Sequence, residues 1–181
     1  MHVSKKDIFS IPNLLGYFRI IMVPVFAWLY LQAETPEEYR FAAVILGLVS
    51  MTDLFDGWIA RKFHMVTELG KLIDPVADKL THGVVLLCLA SRYRQIWLLV
   101  GLFLVKEGFM AVMGLIKLRK GKKLDGAMWF GKVCTAVLFI VLVILLAFPF
   151  MPEVLVNVMV GVTAVLMIVT LCLYIPVFRR M

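Results

Sequence analysis

Cysteine, histidine and charge are all scarce in this chain, and each shortage removes a class of protein. Only three cysteines occur in 181 residues, Cys88, Cys134 and Cys172, far apart and with no C-x-x-C pair. That spacing excludes a disulfide framework and leaves them as small buried apolar side chains. Of the three histidines, His2 and His64 carry no site signal. Charged residues are 17% of the chain against 62% hydrophobic, and the mean hydropathy is +0.96. So little polar surface leaves no room for a sizeable soluble domain. Internal repeats and low-complexity segments are absent too. Lys5 and Lys6 precede an apolar run much as in a signal peptide, but no small-x-small cleavage site follows. A retained first helix is expected.

What remains is dominated by apolar runs of membrane-crossing length. A helix needs about 20 apolar residues to cross the hydrocarbon core, so the chain accommodates about six spans with short loops. The runs predict spans at 13–31, 39–63, 70–90, 95–118, 127–148 and 153–178, preceded by a short interfacial segment, 1–11. Pro12 suits a helix start, and Pro24 is expected to kink the first span. Loops are expected at 33–38, where acids surround Pro36, at 64–68, at 91–94, at the basic run LRKGKKLDG (118–126), and at Pro149 to Pro152. The expected fold is an all-α integral membrane protein with six transmembrane helices, one domain over 1–181.

The net charge of +7 lies beside apolar spans rather than on a soluble face. An anionic membrane surface is therefore the expected partner, and nucleic acid is not. Alternating six spans places Lys5, Lys6, Arg61, Lys62, Lys120 and Arg180 on one side, with acid-rich loops on the other. By the positive-inside rule both termini and the 2–3 loop are cytoplasmic, in a multi-pass protein of the cell membrane.

One stretch breaks the apolar pattern. DLFDGWIARKFHMVTELGKLIDPVADK begins at Asp53 and holds two aspartate pairs, Asp53 with Asp56 and Asp74 with Asp78. Helical spacings of three and four put each pair on one face. Gly57 and Ala60 share the first face, while Gly70, Asp74 and Asp78 form a stripe of i, i+4, i+8. Acids beside residues with almost no side chain leave a cavity lined by oxygen donors, suited to hard divalent cations and a phosphate-bearing substrate. Acid pairs capping helix ends would be the plainer reading, but ionisable groups in membrane helices are costly and point to function. Four aspartates without a nearby cysteine favour Mg²⁺ or Mn²⁺ over zinc. Two such ions can clamp a pyrophosphate and orient an in-line displacement. His82, one turn beyond Asp78, reads as a packing or supporting histidine rather than a ligand.

The order D-x-x-D-G-x-x-A-R, eight residues, G-x-x-x-D-x-x-x-D resembles the signature of the CDP-alcohol phosphotransferases, with every fixed position filled. The resemblance implies two metal ions per site, with Asp53, Asp56 and Asp74 holding metal. It implies that Asp78 binds the second metal and acts as general base. The nucleotide would be met by Asp53, Asp56, Gly57, Ala60 and Gly70, and its diphosphate by Arg61. It further implies a homodimer that transfers a phosphatidyl group from CDP-diacylglycerol to an alcohol or phospho-alcohol and releases CMP.

The opening IPNLLGYFRIIMVPVF, with Asn13 and Arg19, is similar to the first helix of the phosphatidylglycerophosphate synthase and cardiolipin synthase branches. GKVCTAV (131–137) resembles the G-K-x-K-T-A segment of the glycerophosphate enzymes but has Cys134 where they carry lysine. Lys106-Glu107 similarly replaces their Arg-Glu pair, losing arginine's bidentate fork. Glycerol 3-phosphate is the expected acceptor, with phosphatidylglycerol as the alternative. Arg19, Lys106 and Lys132 are the candidate acceptor-binding cations. Lys106 and Glu107 project about 100° apart as helical neighbours, so a partner or a water-filled pocket is expected for each. A divalent-cation transporter or a silent scaffold is the reading from another class, though a transporter does not need Gly57, Ala60 and Arg61 beside the acids and four retained acids speak against a scaffold.

Overall fold

A computed structural model describes residues 10–62, 67, 69–119 and 128–180, with backbone alone at 11–12, 53–61, 71–72, 117–119 and 179–180. Six helices follow in order: α1 (Ile11–Gln32), α2 (Pro36–Lys62), α3 (Gly70–Arg92), α4 (Ile96–Arg119), α5 (Trp129–Ala147) and α6 (Glu153–Arg180). No strand occurs among the described residues. Among the described residues, four segments are long and apolar enough to cross a membrane: Asn13–Gln32, Ile96–Ile116, Trp129–Ala147 and Glu153–Phe178. The acid stretch and its basic neighbours lie on α2 and α3, and their charges set those two helices apart from the four.

The helices sit close to the predicted spans, and the differences have local causes. Residues 33–38 are not all loop, because α2 already begins at Pro36. Thr35 and Glu38 form a capping box: the Thr35 hydroxyl accepts from the Glu38 N–H at 3.3 Å, and Glu38 Oε2 accepts from the Thr35 N–H at 3.0 Å. Pro36 stands at the first helical position, where its missing N–H costs nothing. Ser91 and Arg92 continue α3, and Leu118 and Arg119 continue α4, instead of opening loops. Pro24 lies within a continuous α1. The interfacial segment 1–9, most of the 64–68 loop and residues 120–127 of the basic loop lie outside the described residues.

Two compact units divide the chain, Met1–Cys88 and Leu89–Met181. In the first, α1 and α2 form an antiparallel hairpin. Val23, Phe26 and Tyr30 are buried from α1, and Ala42, Leu46 and Val49 from α2, both at the spacings of one helix face. Tyr30 meets Tyr39 edge-on, ring centroids 5.2 Å apart. The outer faces carry exposed Ile21, Trp28, Phe41 and Val44, an apolar exterior suited to a lipid solvent. Contacts from α1 to the start of α3 advance in step, Asn13 to Thr67, Gly16 opposite Ile73, Arg19 to Asp78. These two helices therefore run in the same direction.

In the second unit, α6 packs against both α4 and α5. Gln95 reaches Glu153 at 3.0 Å near the starts of α4 and α6, and Phe109 meets Phe178 further along both, so these helices are parallel. Phe130 at the start of α5 meets Tyr174 near the end of α6, so α5 runs the opposite way. Tyr93 ties the α3–α4 connection to the α5–α6 turn by donating to the Pro149 carbonyl at 2.7 Å. Hydroxyls within the helices bond back to the preceding turn: Thr81 to Ala77, Thr135 to Gly131, Thr163 to Met159. Such bonds satisfy a polar group where no water is at hand.

Candidate active site

The first half of the acid motif, Asp53, Asp56, Gly57, Ala60 and Arg61, occupies the last turns of α2, and its side chains lie outside the described residues. The second half opens α3. Thr67 caps that helix, its hydroxyl accepting the Gly70 N–H at 2.9 Å. The same hydroxyl accepts from Asn13 Nδ2 at 3.0 Å and donates to Asn13 Oδ1 at 3.1 Å. Asn13 is fully buried, so these bonds are shielded from water. Gly70 is small of necessity, since a Cβ there would stand 2.7 Å from Asn13 Oδ1 and 3.1 Å from Thr67 Oγ1. Gly16 plays a like part on α1, where a Cβ would come within 2.8 Å of Ile73 Cγ2. Thr67 and Gly16 were not recognised from sequence. The T-x-x-G spacing of an N-cap was the available signal for Thr67.

One and two turns beyond Gly70 come Asp74, half-buried, and Asp78, exposed. Arg19 Nη1 donates to Asp78 Oδ1 at 2.9 Å, with side-chain exposures of 2% and 51% respectively. The His82 ring bonds through Nδ1 to the Asp78 carbonyl at 2.7 Å. A carbonyl only accepts, so Nδ1 carries the proton. His82 thus anchors to the backbone of its own helix.

Of the other candidate cations, Lys106 and Lys132 belong to the second unit. Lys132 is exposed on the first turns of α5. Lys106 is buried and its Nζ lies 2.6 Å from Glu107 Oε1, so these helical neighbours do meet each other directly. The Cβ directions diverge, but lysine's four-carbon stem spans the gap, and low exposure favours a closed pair. Beside Lys132, Gly131 is buried under the Tyr174 hydroxyl, which is itself hydrogen-bonded to the Met128 backbone. Cys134 is buried.

The family model for CDP-alcohol phosphatidyltransferase matches residues 9–175. The chain belongs to the CDP-alcohol phosphatidyltransferase family. It is therefore a transferase. Curated relatives include proteins named CDP-diacylglycerol--glycerol-3-phosphate 3-phosphatidyltransferase from Escherichia coli (strain K12), Shigella flexneri serotype 5b (strain 8401) and Shigella sonnei (strain Ss046). Each is 30% identical over 141 residues, covering 76% of this chain and 77% of the relative.

CDP-alcohol phosphatidyltransferases generally use divalent metal ions. Asp74 and Asp78 fit that need in donor chemistry: both are carboxylates one helical turn apart, and neither is sealed from solvent. A carboxylate offers about four lone-pair sites, so the Arg19 contact alone does not exhaust Asp78 as a donor. Among the described residues no group of three metal-binding side chains converges. The motif's other two aspartates contribute only backbone to that description.

Proposed function

We propose that this transferase moves a phosphatidyl group from CDP-diacylglycerol to glycerol 3-phosphate, releasing CMP and forming phosphatidylglycerophosphate for phospholipid synthesis. The observation that carries the proposal is the complete eight-position acid motif, whose second half starts a capped helix with Asp78 exposed and held by Arg19. The printed names of the relatives support the choice of donor and acceptor.

Asp53, Asp56, Asp74 and Asp78 would hold a pair of Mg²⁺ or Mn²⁺ ions, which when bound supply charge neutralisation to the pyrophosphate. Asp78 takes the proton of the acceptor hydroxyl as that oxygen bonds to the phosphatidyl phosphorus. The pyrophosphate P–O bond breaks on the far side, and CMP departs with the bridging oxygen. Gly57, Ala60 and Gly70, lacking bulk, leave room for the cytidine beside Asp53 and Asp56, and Arg61 meets the diphosphate. Lys106 and Lys132 are the candidates for the acceptor phosphate, although Glu107 already offsets the charge of Lys106. The surrounding protein is one catalytic domain of six spans. It lies in the cell membrane with both termini and the acid motif facing the cytoplasm, and it works as a homodimer. Parallel α1 and α3, and parallel α4 and α6, support the alternation.

Cys134 favours one second reading, transfer to phosphatidylglycerol, because a buried thiol stands where a phosphate-binding lysine is expected. Purified protein with Mg²⁺ and CDP-diacylglycerol, offered one alcohol at a time, decides between them. CMP release with phosphatidylglycerophosphate as product is expected; cardiolipin from phosphatidylglycerol would select the second reading. Failure to release CMP with any alcohol would overturn both and return the divalent-cation transporter. Asp78→Asn should bind CDP-diacylglycerol normally yet lose more than the ~10²–10⁴-fold ascribed to a general base, since a metal ligand weakens as well.

A further inference from the structure

Arg19 is the bulkiest fully buried side chain among the described residues. A guanidinium taken out of water calls for a counter-charge close by. Asp78 supplies one at 2.9 Å. An anionic acceptor arriving from water would need exposed guanidinium surface, and a side chain 2% exposed presents almost none. Asp78 shows the opposite character, with half of its side chain open. The pair therefore has a closed end on α1 and an open end on α3.

Local packing holds α1 where this pairing requires it. Asn13, Gly16 and Arg19 recur every three residues along one side of α1. Each meets a successive turn of α3 or its cap: the Thr67 hydroxyl, the Ile73 side chain and the Asp78 carboxylate. Close approach at Gly16 and the buried Asn13–Thr67 bonds keep the two backbones in register. A guanidinium anchored on that wall restricts the side-chain torsions of Asp78 to those that keep Oδ1 against it.

We infer that Arg19 is a positioning residue that acts through Asp78, orienting its carboxylate for proton transfer, and that it does not bind the acceptor alcohol. The inference rests on Asp78 being the general base of the proposed reaction.

The test compares Arg19→Gln and Arg19→Lys with the unaltered protein. Steady-state rates against glycerol 3-phosphate should show kcat reduced at least tenfold by Arg19→Gln, with the acceptor KM within twofold. Arg19→Lys, which keeps one charged donor, should recover part of that kcat. In the Asp78→Asn background, calorimetric affinity for glycerol 3-phosphate, with CDP-diacylglycerol and Mg²⁺ present, should be the same whether or not Arg19→Gln is added. A tenfold rise in acceptor KM or Kd with kcat retained would overturn the assignment, as would unchanged kcat and KM. Should Arg19→Gln not fold, the same kcat-against-KM split is read from Arg19→Lys. A protein that transfers to no alcohol would instead refute the proposed reaction. The pairing is then read from unfolding midpoints of Arg19→Lys, Asp78→Asn and the double variant, where additive shifts would overturn it.

Discussion

Replacing Gly131 with alanine sets one methyl group against a ring that has nowhere to go. The added carbon would land on the Tyr174 hydroxyl, with ring atoms Cζ and Cε2 at 3.1 and 3.3 Å. Tyr174 is 2% exposed and is held by Phe130, 4.7 Å away between centroids, and by Phe178 at 6.1 Å. Overpacking of this kind costs about 1–3 kcal/mol. Displacing the hydroxyl from the Met128 backbone adds about 0.5–1.5 kcal/mol, the net worth of one hydrogen bond. Alanine's better helix propensity returns at most about 1 kcal/mol. A net destabilisation of ~0.5–4.5 kcal/mol is expected, measured by denaturant unfolding in detergent with far-UV circular dichroism. Tyr174→Phe removes the clashing oxygen, so the double variant should be more stable than the sum of the single effects by about 1 kcal/mol or more. Additive effects, or wild-type stability for Gly131→Ala, would refute the packing argument.

Gly70→Ala should loosen the start of α3 by about 1–2 kcal/mol, through loss of the Thr67 cap and the Asn13 bonds. Asn13→Ala should then cost less in that background than alone, which thermal unfolding of the four variants checks. The Glu38 carboxyl is held below its ordinary 4.5 by the backbone N–H groups of Glu34 and Thr35, with help from the Thr35 hydroxyl. A lowered folded pKa contributes stability above the unfolded value and loses it as pH falls through the folded one. The first turn of α2 should therefore lose amide-exchange protection below about pH 4.5, and Glu38→Gln should abolish that pH dependence. Lys106→Met should cost roughly 1–3 kcal/mol by removing the cation beside the partly buried Glu107, and adding Glu107→Gln should recover most of it. If Lys106 also binds the acceptor, the double variant folds normally yet keeps a raised acceptor KM.

Helix number, helix direction and the acid motif were legible in the chain before any packing was known. Apolar run length, prolines and the D-x-x-D-G-x-x-A-R spacing are properties of neighbours along the backbone, and helical geometry converts them directly into helices and faces. The ends were read less well where a side chain decides them: within the acid-rich, proline-containing stretch 33–38, Thr35 and Glu38 cap a helix that already begins at Pro36. Counting Cβ directions also misjudged Lys106 and Glu107, because a long flexible stem is not bound by the angle at its root. Tertiary structure alone decided that Arg19 answers to Asp78, 59 residues away, that Asn13 holds the Thr67 cap across 54, and that Gly131 must be bare beneath Tyr174. Each depends on which faces of separate helices meet. Sequence periodicity marks a face as apolar or charged, but only packing brings the buried Arg19 guanidinium to the Asp78 carboxylate and closes it off from water.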